Sequence, residues 1–199
     1  PRSTLFPYTT LFRSEEGQST EATTTEVEVI ESETKTGGTL VISISEEPDT
    51  LDMHHSSLGT TSTIGSYLGA TLITRDPITD EFVPWLAESW SASEDGLQWE
   101  FKLRQDVKFH NGEPFTAEDY AFTINRALAP ETMSPTTGTL LMGVASATAL
   151  DEYTLQVQMD YPNYSFLTGL ATSWLQPMPK AVIERSEEHT SELQSPNTI

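Results

Sequence analysis

The sequence predicts a mixed α+β fold, on three observations. Strand-like alternation and helix-like spacing both occur along the chain, but without the regular strand-helix-strand order of a parallel α/β protein. Asp95-Gly96 and Asn111-Gly112 are strong tight-turn signals that favour antiparallel neighbours. There is no internal repeat, and no apolar run approaches the roughly 20 residues that span a bilayer.

Each element rests on a local signal. Gly37-Gly38 precedes Thr39 to Ser45, TLVISIS, whose β-branched residues predict a buried strand. Residues 46–60 hold Pro48 and many turn formers and read as a loop. Residues 62–73 place Ile64, Tyr67, Leu68 and Leu72 on one helical face, weakened by Gly65 and Gly69, and Asp76-Pro77 closes that helix. Pro84 to Ser89 reads as a single helical turn with proline near its start. Trp90 to Ser93 is a strand leading into the Asp95-Gly96 hairpin, and residues 97–104 alternate strictly. Their apolar set, Leu97, Trp99, Phe101 and Leu103, is one face of a half-buried strand.

Thr116 is the expected N-cap of a helix over 117–129, with Asp119 at its third position and Pro130 as its stop. Ala117, Tyr120, Ala121, Ile124 and Leu128 give its buried stripe. Residues 131–143 are a Thr/Gly/Pro-rich loop. Val144–Leu150 and Tyr153–Met159 are two strands turning at Asp151-Glu152. A helix near 162–172 and an extended piece from Trp174 to Met178 complete the prediction.

The 199 residues carry 30 acidic and 10 basic side chains, a formal charge of −20, and no cysteine. Nucleic-acid binding needs clustered Lys and Arg, so that class is excluded, and an anionic membrane surface is disfavoured on the same ground. Zero cysteine removes disulfides, thiol nucleophiles and thiolate metal sites. The ends differ from the middle. Residues 4–14, TLFPYTTLFRS, and 185–195, RSEEHTSELQS, resemble in-frame translations of sequencing adapters, so residues 1–14 and 185–199 are set apart from fold reasoning. Residues 15–184 keep 27 acidic and 7 basic residues, still −20. Within them, residues 15–36 hold seven Glu, one Lys and many Thr and Ser, which predicts an acidic disordered tether, with Val27, Val29 and Ile30 as a short strand candidate that the prediction does not adopt.

Few side-chain groups point to chemistry. His54-His55 and His110 lack ligand spacing, so no metal site is assigned to them. Glu46, Glu47, Asp49 and Asp52 crowd one loop that leaves a predicted strand, a placement that suits a ligand cleft. Glu118-Asp119 is helix-cap chemistry. Trp99 belongs to the core by its alternation, whereas Trp174 lies outside any amphipathic pattern and is a candidate pocket wall. No phosphate-cradling glycine loop or nucleophile elbow is present, and no catalytic residue is assigned.

One stretch is specific. Residues 84–128 contain Pro84-Trp85-Leu86-Ala87-Glu88-Ser89-Trp90, Asp95-Gly96, Phe101-Lys102-Leu103-Arg104, Lys108-Phe109-His110-Asn111-Gly112 and Thr116-Ala117-Glu118-Asp119. In that order they resemble the signature region of extracellular solute-binding proteins of the peptide/nickel type, which serve ATP-driven importers. Upstream, Gly37 to Val41 and Glu47-Pro48-Asp49-Thr50-Leu51-Asp52 resemble the family's opening strand and loop. Met53 and Tyr120 depart from its usual proline and valine.

The resemblance covers about residues 37–184, roughly the first third of a typical member. It implies the N-terminal part of a two-lobed, periplasmic-binding-protein-like (type II) fold: a mixed sheet with an accessory subdomain. It also implies a non-enzymatic, monomeric, exported protein, periplasmic or extracellular and tethered as a lipoprotein. No cofactor is implied. The expected ligand is a peptide or similar small solute, and the expected partner is a membrane permease. By matched position, Glu46, Glu47 and Pro48 would run beside an extended ligand as an added strand, with Trp174 as a further ligand-binding candidate. The alternatives are a nickel or metal-chelate carrier on this scaffold using His54, His55 or His110, and a carboxylate-dependent hydrolase using the acidic loop.

Overall fold

A computed structural model describes residues 37–39 and 41–194, with side chains to residue 187. Residues 1–14 and the tether over 15–36, with its short strand candidate, lie outside the described residues. A compact unit begins at Ile42 and holds every helix and strand named below.

Its centre is a four-stranded antiparallel sheet. The strands are β3 (Ala87–Ala92), β4 (Gln98–Leu103), β5 (Val144–Asp151) and β6 (Thr154–Met159), in the order β3-β4-β6-β5. Two shorter strands, β1 (Ile73–Arg75) and β2 (Phe82–Pro84), form a separate antiparallel pair. The β3–β4 hairpin turns where Asp95-Gly96 predicts. Gly96 takes φ 68°, a left-handed conformation that glycine adopts without strain. The Asp95 carboxylate accepts from the Ser93 hydroxyl at 2.6 Å and the Leu97 N–H at 3.0 Å.

Alternation along β4 and β6 directs one face inward. Trp99, Phe101 and Leu103 lie opposite or beside Leu155, Val157 and Met159, all buried. Each such side chain contributes about 1.5–3 kcal/mol by leaving water. The helix α2 (Ala117–Leu128) closes this core with Ala117, Tyr120, Ala121, Ile124 and Ala127, and the Tyr120 hydroxyl donates to the Leu175 carbonyl at 2.8 Å. Its start is fixed by Asp119, whose carboxylate accepts from the Thr116 N–H at 3.0 Å and hydroxyl at 2.7 Å. The other helices are α1 (Gly59–Leu68), α3 (Thr137–Leu140), α4 (Phe166–Leu170) and α5 (Lys180–Gln194).

Several expectations are corrected. The buried strand expected over Thr39 to Ser45 is absent among the described residues: 41–45 are irregular and exposed, with Val41 at 87%. Among the described residues no strand pairs with this stretch, and propensity alone does not make a strand. The helical turn expected over Pro84 to Ser89 is instead the end of β2, a two-residue link and the start of β3. Leu86 and Ala87 donate their N–H groups to Thr71 and Leu72 across the chain, and so make no helical bonds. Helix α1 starts at Gly59 and ends before Gly69, short of the predicted residue 73, because Leu72 and Ile73 are drawn into the core. The helix near 162–172 shortens to Phe166–Leu170, and a 3₁₀ turn over Ser173–Leu175 replaces the start of the extended piece. The 131–143 loop holds a 3₁₀ turn at Pro130–Thr132 as well as α3. Helix α5, which crosses residues 184 and 185 without interruption, was not anticipated.

Candidate functional site

The loop after Ser45 has an exposed arm and a tightly held base. Glu46 and Glu47 are exposed and Pro48 is half-buried. Immediately after them, Asp49 accepts from the Ser56 hydroxyl at 2.6 Å, the Thr61 hydroxyl at 3.0 Å and the Thr50 N–H at 2.9 Å. These bonds, Ser56 foremost, hold its carboxyl below the usual value against a smaller opposing effect of burial. They tie the arm to the first turn of α1, where Thr61 is fully buried.

Three residues on, Asp52 caps the 3₁₀ turn Met53–His55 by accepting the His54 N–H at 3.0 Å. Arg126, from the last turn of α2, reaches the same carboxylate with both terminal nitrogens: Nη2 to Oδ2 at 2.8 Å and Nη1 to Oδ1 at 3.3 Å. Burial works to raise the Asp52 carboxyl, but the hydrogen bond and charge of Arg126 and the His54 N–H hold it below its usual value. Arg126 Nη1 also donates to His54 Nδ1 at 3.1 Å, and Nη2 to His55 Nε2 at 3.3 Å. A guanidinium only donates, so both ring nitrogens act as acceptors. His54 is fully buried; burial, then the Arg126 charge, push its pKa down to about 4. Glu187 on α5 completes the cluster, accepting from Arg126 Nε at 3.0 Å and Nη2 at 2.9 Å.

Trp174 is half-buried on the Ser173–Leu175 turn. That turn packs against both α1 and the Met53–His55 turn, and Ser173 Oγ lies 2.7 Å from Ser62 Oγ on α1. Gly65 lies at this junction: a Cβ there would sit 2.8 Å from Met53 Sδ and 3.4 Å from Ser173 Cβ. Gln176 adds a bond to the Gly65 carbonyl at 2.8 Å. The structure therefore brings the Trp174 turn to the base of the acidic loop. It joins neither Glu46 nor Glu47 to Trp174 by a hydrogen bond or ion pair. A shallow pocket of about 280 Å³ adjoins this turn, lined in part by Ser66, Thr71, Trp85, Ser173 and Gln176. The larger groove, about 650 Å³ between α2 and β5, is lined by none of the four candidate residues.

The residues that organise the site were missed from the sequence. Arg126 drew no attention in the sequence, and Asp52 read as one acid among four. A signal existed in the Asp-x-His-His pattern facing a helix C-terminus, but sequence separation hid it. The histidines do not assemble a metal site. His54 and His55 are both engaged by Arg126, whose positive charge opposes a cation there, while His110 is exposed beside the Asn111-Gly112 turn. No group of three His, Asp or Glu side chains placed to hold a metal occurs among the described residues. The paired-acid reading meets the same obstacle, because Asp49 and Asp52 are already taken up in structural bonds.

Comparison with known proteins agrees with this architecture. The family model for bacterial extracellular solute-binding proteins, family 5 Middle, matches residues 81–198. The periplasmic oligopeptide-binding protein OppA of Escherichia coli is 31% identical over 166 residues, 75% of this chain and 30% of its own length. The nickel-binding periplasmic protein of the same organism is 43% identical over 89 residues, 45% of this chain and 17% of its own length. Among solved structures, Haemophilus influenzae OppA in complex with RPPGFSPFR superposes with a TM-score of 0.64 at 29% identity, over 70% of this chain and 30% of that one. The murein tripeptide-binding protein MppA in its unliganded open form also gives 0.64 at 29% identity, over 71% and 30%. The chain thus spans less than a third of the length of these relatives. With its ordered signature over residues 84–128, its α+β lobe and these matches, the chain belongs to the bacterial extracellular solute-binding proteins of family 5.

Proposed function

We propose that residues 37–184 form the N-terminal lobe portion, with its accessory subdomain, of the substrate-binding component of an ABC importer. The protein captures peptides or similar small solutes and delivers them to a membrane permease. It is exported and monomeric, residues 15–36 are its spacer from a lipid anchor, and residues 1–14 and 185–199 are foreign to it. It performs no catalysis. Ligand selects the closed, two-lobed form because it binds that form better than the open one.

The observation that carries this reading is the Glu46-Glu47-Pro48 arm, its two glutamates exposed, held at its base by Asp49 and Asp52 beside the Trp174 turn. An exposed, pinned segment offers backbone groups to an extended ligand in the manner of strand addition. Pro48 has no N–H, so pairing there runs through carbonyls and through the amides of Glu46 and Glu47. A nickel-binding alternative draws on the 43% identity to the nickel-binding periplasmic protein.

Titration calorimetry on the protein translated from the uninterrupted gene tests both readings. Trialanine is expected to give saturable heat at one site, and Ni²⁺ none. Heat with Ni²⁺ alone would establish the alternative, and no heat with either would refute peptide capture.

A further inference from the structure

We propose that Arg126 is a positioning residue for ligand capture: it clamps the base of the Glu46–Pro48 arm to the accessory subdomain and sets where that arm stands. The clamp itself rests on geometry; only its consequence for ligand rests on the function proposed above.

Three features single out this guanidinium. Its side chain is only 8% exposed, although it is a charged residue at a helix end. Its two terminal nitrogens reach the arm, with both oxygens of Asp52, His54 Nδ1 and His55 Nε2 all within 3.3 Å, while Nε and a share of Nη2 go to Glu187 on α5. The acceptors other than Glu187 belong to residues 52–55, which are continuous with the arm and stand 71 to 74 positions from Arg126 in the chain. It also touches Met178 Sδ at 3.6 Å, so the segment leaving the Trp174 turn meets the same group.

The planar fork matters. Two parallel bonds to a carboxylate fix an orientation as well as a distance, which a lysine ammonium cannot do. Asp49 supplies the second pin through Ser56 and Thr61. With two carboxylates three residues apart tied to different helices, the backbone between them cannot rotate freely, and the exposed residues just before Asp49 inherit that order. Without the clamp, a ligand would have to order the arm itself, and preorganisation would be lost as affinity.

Hydrogen exchange on this chain, with Arg126→Gln and Arg126→Lys, tests the clamp. The expected result is at least tenfold faster exchange at the His54 and His55 amides in both variants. The core amides of Trp99, Phe101, Leu155 and Val157 should stay within threefold of the unmodified chain. Acceleration of loop and core together would show a general stability role and overturn the proposal, as would no change at either place. Asp52→Asn, which leaves α2 untouched, gives the same readout should the Arg126 variants fail to fold. In the two-lobed protein, Arg126→Lys should weaken trialanine binding at least tenfold with the core amides unchanged; undiminished binding would overturn the link to capture. If the unsubstituted two-lobed protein binds no peptide while the exchange result holds, the functional reading fails and the clamp stands.

Discussion

Replacing His54 with asparagine should remove much of the acid sensitivity of this fold. His54 is fully buried with Nδ1 accepting from Arg126, and its pKa falls from 6.5 to about 4. A histidine depressed in the folded state leaves the unfolded chain holding more protons between those two values. Stability is therefore complete above pH 6.5 and falls as pH drops toward 4. Going from pH 7.5 to pH 5 costs about 2 kcal/mol, at about 1.36 kcal/mol per unit for the roughly 1.5 units below the free imidazole value. For a unit of this size that is a loss of about 4–8 °C in melting temperature. Asparagine places Oδ1 where Nδ1 was, so the Arg126 bond survives while the titration is lost. Asp52 and Asp49, both held below their ordinary values, lose their contributions only below about pH 4 and stay outside this window. Thermal melts of the chain and of His54→Asn at pH 7.5 and pH 5 provide the assay. The variant should lose about 4–8 °C less than the unmodified chain. Equal losses would show that His54 is not the titrating group, and would refute the neutral, Arg126-bonded imidazole.

Other substitutions test the packing. Gly169→Ala should destabilise by about 1–3 kcal/mol, because its Cβ would meet the Leu140 carbonyl oxygen at 2.5 Å; denaturant unfolding would reveal it, and a neutral result would misplace α4 against α3. Phe101→Ala, at 0% exposure in the middle of β4, should cost about 3–5 kcal/mol in the same assay. Asn125→Ala removes a carboxamide that bonds the Ala147 N–H at 2.9 Å and carbonyl at 2.8 Å; a loss of about 1–3 kcal/mol is expected, with more self-association in light scattering as the β5 edge is freed. On the proposed function, the 199-residue chain should show no melting shift with trialanine, since a lobe portion alone would leave the ligand exposed; a shift of several degrees would count against a shared cleft.

Local signals carried much of the sheet and α2 into the sequence. The alternation from Leu97 to Leu103 and the Asp95-Gly96 turn name β4 and its hairpin directly, because each depends on neighbours in the chain. The Thr116–Asp119 cap does the same for α2. Elements that depend on distant partners were misread. Leu86 and Ala87 sit in a proline-led stretch that suits a helical turn, yet their N–H groups are claimed by Thr71 and Leu72. Gly65 looked like a helix weakness, but its missing side chain makes room for Met53. At the candidate site, the crowd of acids in the 46–52 loop was visible, but not its division of labour. Asp49 and Asp52 are structural and Glu46 and Glu47 are exposed, a distinction set by Thr61 on α1 and by Arg126, 74 residues from Asp52.

Amide chemical-shift mapping of the two-lobed protein during titration with trialanine asks most directly whether the pinned arm meets ligand. The largest shifts and the greatest gain in exchange protection should fall on Glu46 and Glu47, with smaller changes at Trp174. Shifts confined to the α2–β5 groove, around Phe122 and Ala149, or absent from residues 46–47 at saturation, would contradict the proposed capture site.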